Sequence, residues 1–454
     1  MQKEVQGYYI FMSYIDNILF VLLLAAGFGY FAVNVKKLVR NIKLGRDADR
    51  KDNPSERWSN MAMIALGQSK MVRRPVAGIL HIIVYVGFVI INIELLEIII
   101  DGIFGTHRLF SFMGGFYGFL IGFFEVLAFA VIVSVVIFWL RRNVVKLWRF
   151  AHGDLKGWPH NDANYILYFE TVLMILFLTM NAADYYLQGV GAEHYPQAGA
   201  FPVSGFISPV FEGMATDTVI LIERAAWWLH IIGILIFMNY LYFSKHLHIL
   251  LAFPNTYYAN LNPKGQFENL ESVTNEVKLM MDPNADPFAA APAPAEGEVP
   301  AKFGASDVQD LNWVQLMNAY TCTECGRCTA SCPANLTGKK LSPRKIMMDT
   351  RDRLEEVGRN IDKNKGTFVE DGKTLLFDYI TPEEIWACTT CNGCVETCPV
   401  NIDPLSIIMD LRKFLVMEQS AAPTELNGMM ANIENNSAPW QYNQMDRLNW
   451  KDEA

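Results

Sequence analysis

The stretch that decides the fold is MGGFYGFLIGFFEVLAFAVIVSVVIFWL, residues 113–140, in which Glu125 is the only charged side chain. A membrane-spanning helix needs about 20 consecutive apolar residues, so this run is long enough to cross a bilayer. Four more runs of the same kind occur in the first 253 residues. The five predicted membrane segments lie near residues 15–36, 76–100, 113–140, 165–188 and 218–243.

Positive charges are concentrated in two of the four loops between these segments. Eleven Lys and Arg side chains lie in 36–75 and five in 141–164, whereas 101–112 has only Arg108 and 189–217 has none. Loops rich in Lys and Arg stay in the cytoplasm, which predicts an N-terminus outside and a tail inside. We therefore expect a multi-pass protein of the inner (cytoplasmic) membrane. The start of the chain has little positive charge and no small-residue cleavage site, so we expect no cleavable signal peptide.

The chain of 454 residues divides into an apolar and a polar half. We expect a transmembrane haem domain at 1–253, a linker at 254–306 that is rich in Ala and Pro at 283–304, and a soluble domain at 307–454. The predicted fold is all-α, with a five-helix transmembrane bundle followed by an α-helical ferredoxin-like domain. A net charge of −9 argues against a nucleic-acid partner.

Helical patterns dominate the soluble domain. The dipeptides Ser342-Pro343 and Thr381-Pro382 are typical helix starts, because proline suits the first helical position. This domain also contains every cysteine of the chain, between residues 322 and 398.

The eight cysteines form two copies of the motif C-x2-C-x2-C-x3-C-P, namely CTECGRCTASCP at 322–333 and CTTCNGCVETCP at 388–399. In this motif the first three cysteines bind one [4Fe–4S] cluster and the fourth ligates the other cluster. Zinc sites usually combine separated C-x2-C pairs, so two full copies favour iron–sulfur clusters. We expect Gly326 and Gly393 to turn backbone N–H groups towards the sulfurs. The predicted ligands are Cys322, Cys325, Cys328 and Cys398 for cluster one, and Cys388, Cys391, Cys394 and Cys332 for cluster two.

Four histidines lie in or beside the predicted membrane segments. On one continuous helix His230 and His248 would share a face but lie about 27 Å apart, too far to bind one haem between them. His81 and His248 lie at a similar depth in the membrane, on helices that run in opposite directions. They could be the two axial ligands of a low-spin b haem near the cytoplasmic surface. His246 is the reserve candidate for an axial ligand. The alternative is that these histidines only pack; for His230 a second haem or a quinone pocket also stays open.

A second group of polar residues lies towards the outer ends of the segments. Some of them are expected to form structural ion pairs, such as Arg224 with a carboxylate. Together they could also make a quinol site, in which carboxylates accept protons as electrons leave. The group consists of Glu94, Glu97, Asp184, Glu223 and Arg224, with Asn92 and Asn181 nearby and Glu125 deeper.

Two segments resemble the haem-b membrane subunits related to heterodisulfide reductase, which are similar to the gamma subunit of respiratory nitrate reductase. They are RRPVAGILHIIVYVGF (73–88) and WWLHIIGILIFMNYLYFSKHLHIL (227–250). That family has five helices, an outer N-terminus and haem histidines on helices two and five. The cysteine-bearing tail resembles the twin-cluster helical ferredoxin domain of the heterodisulfide reductase small subunit and of succinate dehydrogenase-type iron–sulfur proteins. So does the ending NSAPWQYNQMDRLNW (436–450).

The resemblance implies that His81 and His248 are the cytoplasmic-side haem pair and that His230 is one outer-side ligand. The other outer-side ligand would lie near Ile91 and Asn92, where the sequence has no histidine. The sequence also lacks the cysteine-rich CCG repeats that build the catalytic site in heterodisulfide reductases. The resemblance therefore implies a separate soluble partner, such as a CCG-domain subunit.

These observations predict an oxidoreductase subunit that is not a complete enzyme alone. It would pass electrons between a quinone pool, haem b, two [4Fe–4S] clusters and a soluble partner, in contact with membrane lipid. The competing hypothesis is a membrane-anchored iron–sulfur module with a structural or redox-sensing role and no quinone chemistry. The sequence identifies no catalytic residue and no terminal substrate.

Overall fold

The computed structural model describes residues 2–284 and 302–452. The central part of the predicted Ala/Pro-rich linker, 285–301, lies outside the described residues. The described residues form helices and no β-sheet, as the all-α prediction requires. The α-helices of the membrane half and of the segment that follows it are α1 (Gln2–Ile42), α2 (Pro54–Met61), α3 (Pro75–Phe104), α4 (Gly115–Asn143), α5 (Trp158–Val190), α6 (Ser204–Ile207), α7 (Thr216–Tyr240), α8 (His248–Tyr257) and α9 (Glu271–Met281). Those of the soluble half are α10 (Trp313–Thr321), α11 (Arg327–Ala330), α12 (Pro333–Leu336), α13 (Pro343–Lys363), α14 (Pro382–Trp386), α15 (Gly393–Thr397), α16 (Pro404–Lys413) and α17 (Thr424–Asn436).

Five helices, α1, α3, α4, α5 and α7, are long and apolar enough to cross a membrane, which confirms the five predicted segments. Their outward faces carry exposed apolar side chains, for example Ile18, Phe119 and Leu229. Such a surface suits lipid, since helices satisfy their backbone hydrogen bonds internally and need no water. The protein is a multi-pass membrane protein.

Small residues let neighbouring membrane helices approach closely. A Cβ atom at Gly233 of α7 would lie 2.7 Å from Leu173 of α5, and one at Gly87 of α3 would lie 2.6 Å from Val131 of α4. Close packing of this kind holds membrane helices together, because lipid offers no hydrophobic driving force between them. The α3, α4, α5 and α7 helices therefore form one bundle around the buried residues described below.

The last membrane helix does not continue to His248. Helix α7 ends at Tyr240, two short turns follow, and Ser244 is extended at φ −119° and ψ 161°. The Ser244 hydroxyl accepts a hydrogen bond from the His246 N–H at 3.2 Å, and Asp162 of α5 accepts the Lys245 N–H at 3.0 Å. The prediction of one continuous helix from His230 to His248 is wrong, and His248 begins the separate helix α8.

The soluble half is folded against the loops at one end of the bundle. Its hydrophobic core includes Leu38, Leu247 and Leu251 from the membrane half. The predicted helix starts are confirmed: the Ser342 and Thr381 side chains cap α13 and α14, each with proline in the first turn. The start of the segment assigned to the linker is also ordered, because α8 runs to Tyr257.

Candidate redox centres

The two cysteine loops share one backbone conformation. In the first loop Glu324 and Gly326 have positive φ angles of 54° and 71°, and at the same places in the second loop Thr390 and Asn392 have 55° and 58°. This left-handed region favours glycine and tolerates asparagine. Gly326 makes this turn in the first loop, whereas Gly393 lies one position after the corresponding place and has no positive φ. Asn392 makes the corresponding turn.

The cysteines are drawn together as two groups across the motifs. Cys322, Cys325, Cys328 and Cys398 line one cavity, together with Cys394 from the second motif. The other motif's thiols interact with one another and with Cys332, which comes from the first motif. The structure therefore brings each fourth cysteine to the opposite loop, the arrangement in which two clusters exchange one ligand.

The surroundings of the cysteines fit iron–sulfur clusters. Burial raises the pKa of the Cys322 thiol to about 12 and that of Cys398 to about 11, so a bare thiolate is costly there and a bound iron would offset its charge. The N–H groups of Ile402 and Thr390 donate to the sulfurs of Cys398 and Cys388 at 3.3 and 3.4 Å. Hydrogen bonds to ligand sulfurs tune cluster potentials.

No group of three or more His, Cys, Asp or Glu side chains within 2–284 and 302–452 is placed to bind a single metal ion. A zinc ion needs its four ligands at about 2.0–2.3 Å, whereas a cubane cluster spreads its four thiolates around a larger body. The open arrangement of the cysteines is compatible with the larger group.

The structure brings His81 and His248 together at the same end of the bundle. Their ring centres are 6.5 Å apart and their planes are inclined by 37°. Two imidazoles on opposite sides of one haem iron have ring centres about 6 Å apart, since each iron–nitrogen bond is about 2 Å and each ring nitrogen lies about 1 Å from its ring centre. The spacing of this pair therefore fits bis-histidine ligation of a haem.

Each of the His81 and His248 rings has a nitrogen without a hydrogen bond, which could bind iron. His248 Nδ1 pairs with the Lys245 carbonyl at 3.0 Å, which leaves Nε2 with its lone pair. His81 Nδ1 is buried without a hydrogen-bond partner. Burial, reinforced by His246 and His81, lowers the pKa of His248 to about 3, so this ring is neutral at physiological pH. His246 instead lies 3.5 Å from the Glu170 carboxylate.

A buried ion network connects the histidine end of the bundle to the first cysteine loop. Lys245, whose carbonyl holds His248, donates from Nζ to Glu324 at 2.7 Å. Glu324 lies between Cys322 and Cys325 and also pairs with Arg351 at 2.9 Å. Both partners in the Lys245–Glu324 bridge are less than a tenth exposed. The sequence analysis did not identify this contact, because neither residue belongs to a ligand motif.

The outer polar group is organised by Arg108, which the sequence analysis counted only as a loop charge. Its guanidinium donates to Asp184, to Asn181 at 2.9 Å and to the Tyr117 hydroxyl at 3.1 Å. Tyr117 in turn donates to Glu97 at 2.9 Å. Arg108 is the single Lys or Arg in the two outer loops, and that isolation was the available signal.

Other members of the outer polar group have their hydrogen bonds and charges satisfied by neighbouring residues. Glu125 is satisfied by Asn181 at 3.2 Å and by the backbone N–H groups of Val203 and Ser204. Arg224 pairs with Glu223 at 2.5 Å, which confirms the predicted ion pair. Most of these carboxylates are therefore structural.

His230 is buried within helix α7. Its Nδ1 pairs with the Leu173 carbonyl at 3.0 Å, and its ring lines an apolar cavity between α3, α5 and α7. Ile91 and Asn92 line the same cavity, so the position expected for a second axial ligand faces His230 without an imidazole.

Comparisons with known proteins agree with the cysteine motifs. Residues 321–402 match the family model described as a 4Fe–4S dicluster domain. The chain is 27% identical to the probable iron-sulfur-binding oxidoreductase FadF of Bacillus subtilis, over 97% of this chain and 61% of that protein. It is 26% identical to the EtfAB:quinone oxidoreductase of Syntrophomonas wolfei, over 89% of this chain and 55% of that protein. It is 31% identical to one subunit of the ferredoxin:CoB-CoM heterodisulfide reductase of Methanosarcina mazei, over 24% of this chain and 52% of that subunit.

The chain spans less than two thirds of the length of the first two relatives. No solved structure matches it. A 4Fe–4S dicluster domain is present in a multi-pass membrane protein whose relatives are iron–sulfur oxidoreductases or their subunits. This supports a membrane-associated iron–sulfur electron-transfer role.

Proposed function

We propose that this chain is the electron-transfer subunit of a quinone-linked membrane oxidoreductase, with two [4Fe–4S] clusters and one b haem as its redox centres. The observation that carries the proposal is the His81–His248 pair, 6.5 Å apart and joined through Lys245 to the first cysteine loop. A haem held by these two histidines supplies one-electron redox chemistry next to the clusters.

The proposed cluster ligands follow the two groups of cysteines. Cluster one takes Cys322, Cys325, Cys328 and Cys398, and cluster two takes Cys388, Cys391, Cys394 and Cys332. Cluster one is the proposed neighbour of the haem, because Glu324 of its loop pairs with Lys245, whose carbonyl holds His248. Cluster two is the proposed exit towards the partner, because Cys391 is exposed.

Quinone and the soluble partner are part of the proposal. The name of the Syntrophomonas relative gives a quinone and EtfAB as its two substrates, so EtfAB is the partner to test first. The loops rich in Lys and Arg contact the dicluster domain: the Arg46 N–H donates to the Leu311 carbonyl at 2.8 Å. Loops rich in Lys and Arg stay on the cytoplasmic side, so the dicluster domain is proposed to lie on the cytoplasmic side of the inner membrane.

A reduced-minus-oxidised optical spectrum of the purified full chain tests the haem. We expect a b-type spectrum that His81→Ala or His248→Ala abolishes, since each removes one axial ligand. His246→Ala and the exposed-loop control His194→Ala should retain it. A wild-type chain with its clusters but no haem spectrum would contradict the proposal and favour a simple anchored iron–sulfur module.

A further inference from the structure

The cavity beside His230 differs from a packing defect, because it combines apolar walls with polar groups at its ends. Its volume is about 100 Å³. A single water needs about 10–15 Å³ by the same measure, so the cavity has room for a substituted aromatic ring. Most of the wall is aliphatic or aromatic, and the polar side chains that reach it include His230, Glu94 and Glu170.

Glu94 is a buried carboxyl group whose hydrogen bonding is incomplete. Its side chain is 4% exposed, and its Oε2 atom has no hydrogen-bond partner. A buried polar atom without a partner is expensive, so such an atom in a cavity marks a position where a ligand or proton is bound. The surrounding charges come from Arg108, Glu97, Glu125 and Asp184.

His230 offers a second polar contact across the cavity. Because Nδ1 is paired with the Leu173 carbonyl, the other ring nitrogen, Nε2, is available to accept or exchange a hydrogen bond. The carboxyl group and the imidazole are thus the specific contacts in an otherwise apolar site, which is the usual composition of a small-molecule pocket.

The cavity lies along a helix face that is open to lipid. Phe88 and Asn92 line it and are also exposed on the outer surface of α3. Along α3 the lining extends from Val84 to Ile98, which corresponds to about 21 Å of helix. A groove of this length accommodates a ring together with part of an apolar tail, and its ligand would enter from the bilayer.

We propose that this cavity binds the head group of a membrane quinone, with Glu94 as the proton acceptor and His230 as the second hydrogen-bond partner. The inference rests on the proposed function and names its quinone site. When a quinol is oxidised here, it loses two protons and two electrons. Glu94 takes the protons one after the other and releases them towards the outer polar group. The two electrons would leave one at a time, by way of a haem held by His81 and His248, for the two clusters that the eight cysteines would hold, which accept one electron each.

The cavity also approaches the proposed haem ligands at its inner end. Glu170 lines the cavity and lies 3.5 Å from His246, whose ring centre is 5.3 Å from that of His248. The site is therefore close to the redox centres at one end and to the outer polar group at the other. Electrons and protons would leave in opposite directions.

Direct binding of 2-heptyl-4-hydroxyquinoline N-oxide, a fluorescent quinol analogue, tests the site independently of turnover. The experiment uses the full-length chain in lipid nanodiscs. Ile234→Trp fills the cavity and should weaken binding by about tenfold or more. The matched control is Ile236→Trp on the lipid-facing side of the same helix, which should bind like the wild type. Equal binding by both variants would overturn the proposal.

Quinol oxidation tests the role of Glu94. Glu94→Gln keeps the volume of the side chain but cannot accept a proton, so reduction of the clusters by menaquinol-4 should slow by about 10²-fold or more. The exposed Glu193→Gln control should not change the rate. If wild-type chain oxidises menaquinol-4 and Glu94→Gln and Ile234→Trp do so equally well, the site is wrong and the proposed function stands. If wild-type chain neither binds the analogue nor oxidises the quinol, both fail.

Discussion

Gly326 is a tightly constrained position of the first cysteine loop. Gly326 has a φ of 71° and lies under the Arg344 guanidinium, where an added Cβ atom would be 2.5 Å from Nη1. The same Arg344 nitrogen donates to the Arg149 carbonyl at 2.8 Å. Glycine is therefore required here by both backbone conformation and space, unlike at Asn392, where the left-handed conformation suffices.

Replacing Gly326 by alanine should prevent assembly of cluster one while leaving cluster two in place. The Cβ atom must displace a buried arginine next to Cys325 and Cys328, in addition to a strain of about 1 kcal/mol from the positive φ. Iron analysis should fall from about eight to about four atoms per chain. Gly338→Ala is the control, because Gly338 also has a positive φ but no neighbour within 4 Å. Equal iron contents in the two variants would contradict this reading.

The residues that the sequence could identify are those with a motif. Cysteine spacing indicated the clusters, and the depth of His81 and His248 indicated the pair that the structure brings together. Glu324 could not be recognised, since its importance depends on which buried groups the fold places around it. Arg108 stood out only as the single Lys or Arg of the outer loops, and Glu94 only as one member of the outer polar group. The partners of Arg108 and the unpaired Oε2 atom of Glu94 are visible only in three dimensions.

At the scale of elements, the connection between the membrane half and the dicluster domain combines the end of α1 and helix α8 with short loops. The 148–157 loop presents Asp154 to the first turn of α13, where Arg344 and Ser342 contact it. Arg344 is 1% exposed and Asp154 9%. The break after α7 similarly presents Lys245 to Glu324. The predicted segment ended correctly at residue 243, but the sequence could not show that His248 begins a separate helix, because the hydrogen bonds that form the break come from Ser244 and from Asp162 of α5.

The Asp154–Arg344 pair should make docking of the dicluster domain sensitive to acid. Burial acts to raise the pKa of Asp154, but Arg344, Ser342 and His152 outweigh it and hold the pKa below its ordinary value of 3.8. A depressed carboxyl pKa stabilises the folded state above the ordinary value, and this contribution is lost as the pH falls through the folded pKa. The protection factors of the amides in the 148–157 loop, which are exchange rates corrected for the intrinsic effect of pH, should therefore be high at pH 5 and fall below about pH 4.

Asp154→Asn should cause the same loosening at neutral pH. It leaves a buried guanidinium without its counter-charge, which costs about 3 kcal/mol. The control is Arg73→Gln, which breaks the exposed contact of Arg73 with Glu396 between the same two halves and should cost less than about 1 kcal/mol. Equal exchange rates in both variants would show that the buried pair does not hold the domain.

At the scale of the whole molecule, the two ends of the membrane bundle differ. The five helices, the cation-rich loops and the dicluster domain form a protein with one polar end that contains the clusters and another that contains Arg108. The charge bias of the loops predicted which end is inside. The cation-rich loops contact the dicluster domain through Arg46 and Asp154. The side of the membrane on which these loops lie is therefore also the side on which the dicluster domain lies.

A pair of cysteine substitutions tests the orientation. His194 is an exposed residue of the outer loop, and Lys146 is an exposed residue of the loop between α4 and α5. In intact cells a membrane-impermeant maleimide should label His194→Cys and not Lys146→Cys, and inverted vesicles should show the opposite. The reverse pattern would place the clusters outside and contradict the proposed topology.

The most direct measurement is anaerobic addition of menaquinol-4 to the oxidised full-length chain in nanodiscs, with the cluster signals followed by electron paramagnetic resonance. We expect the quinol to reduce clusters in the wild type and to reduce them at least about tenfold more slowly in His81→Ala, although dithionite still reduces both proteins. Wild-type clusters that respond to dithionite and never to quinol would contradict the central claim that this membrane bundle connects a quinone to the dicluster domain.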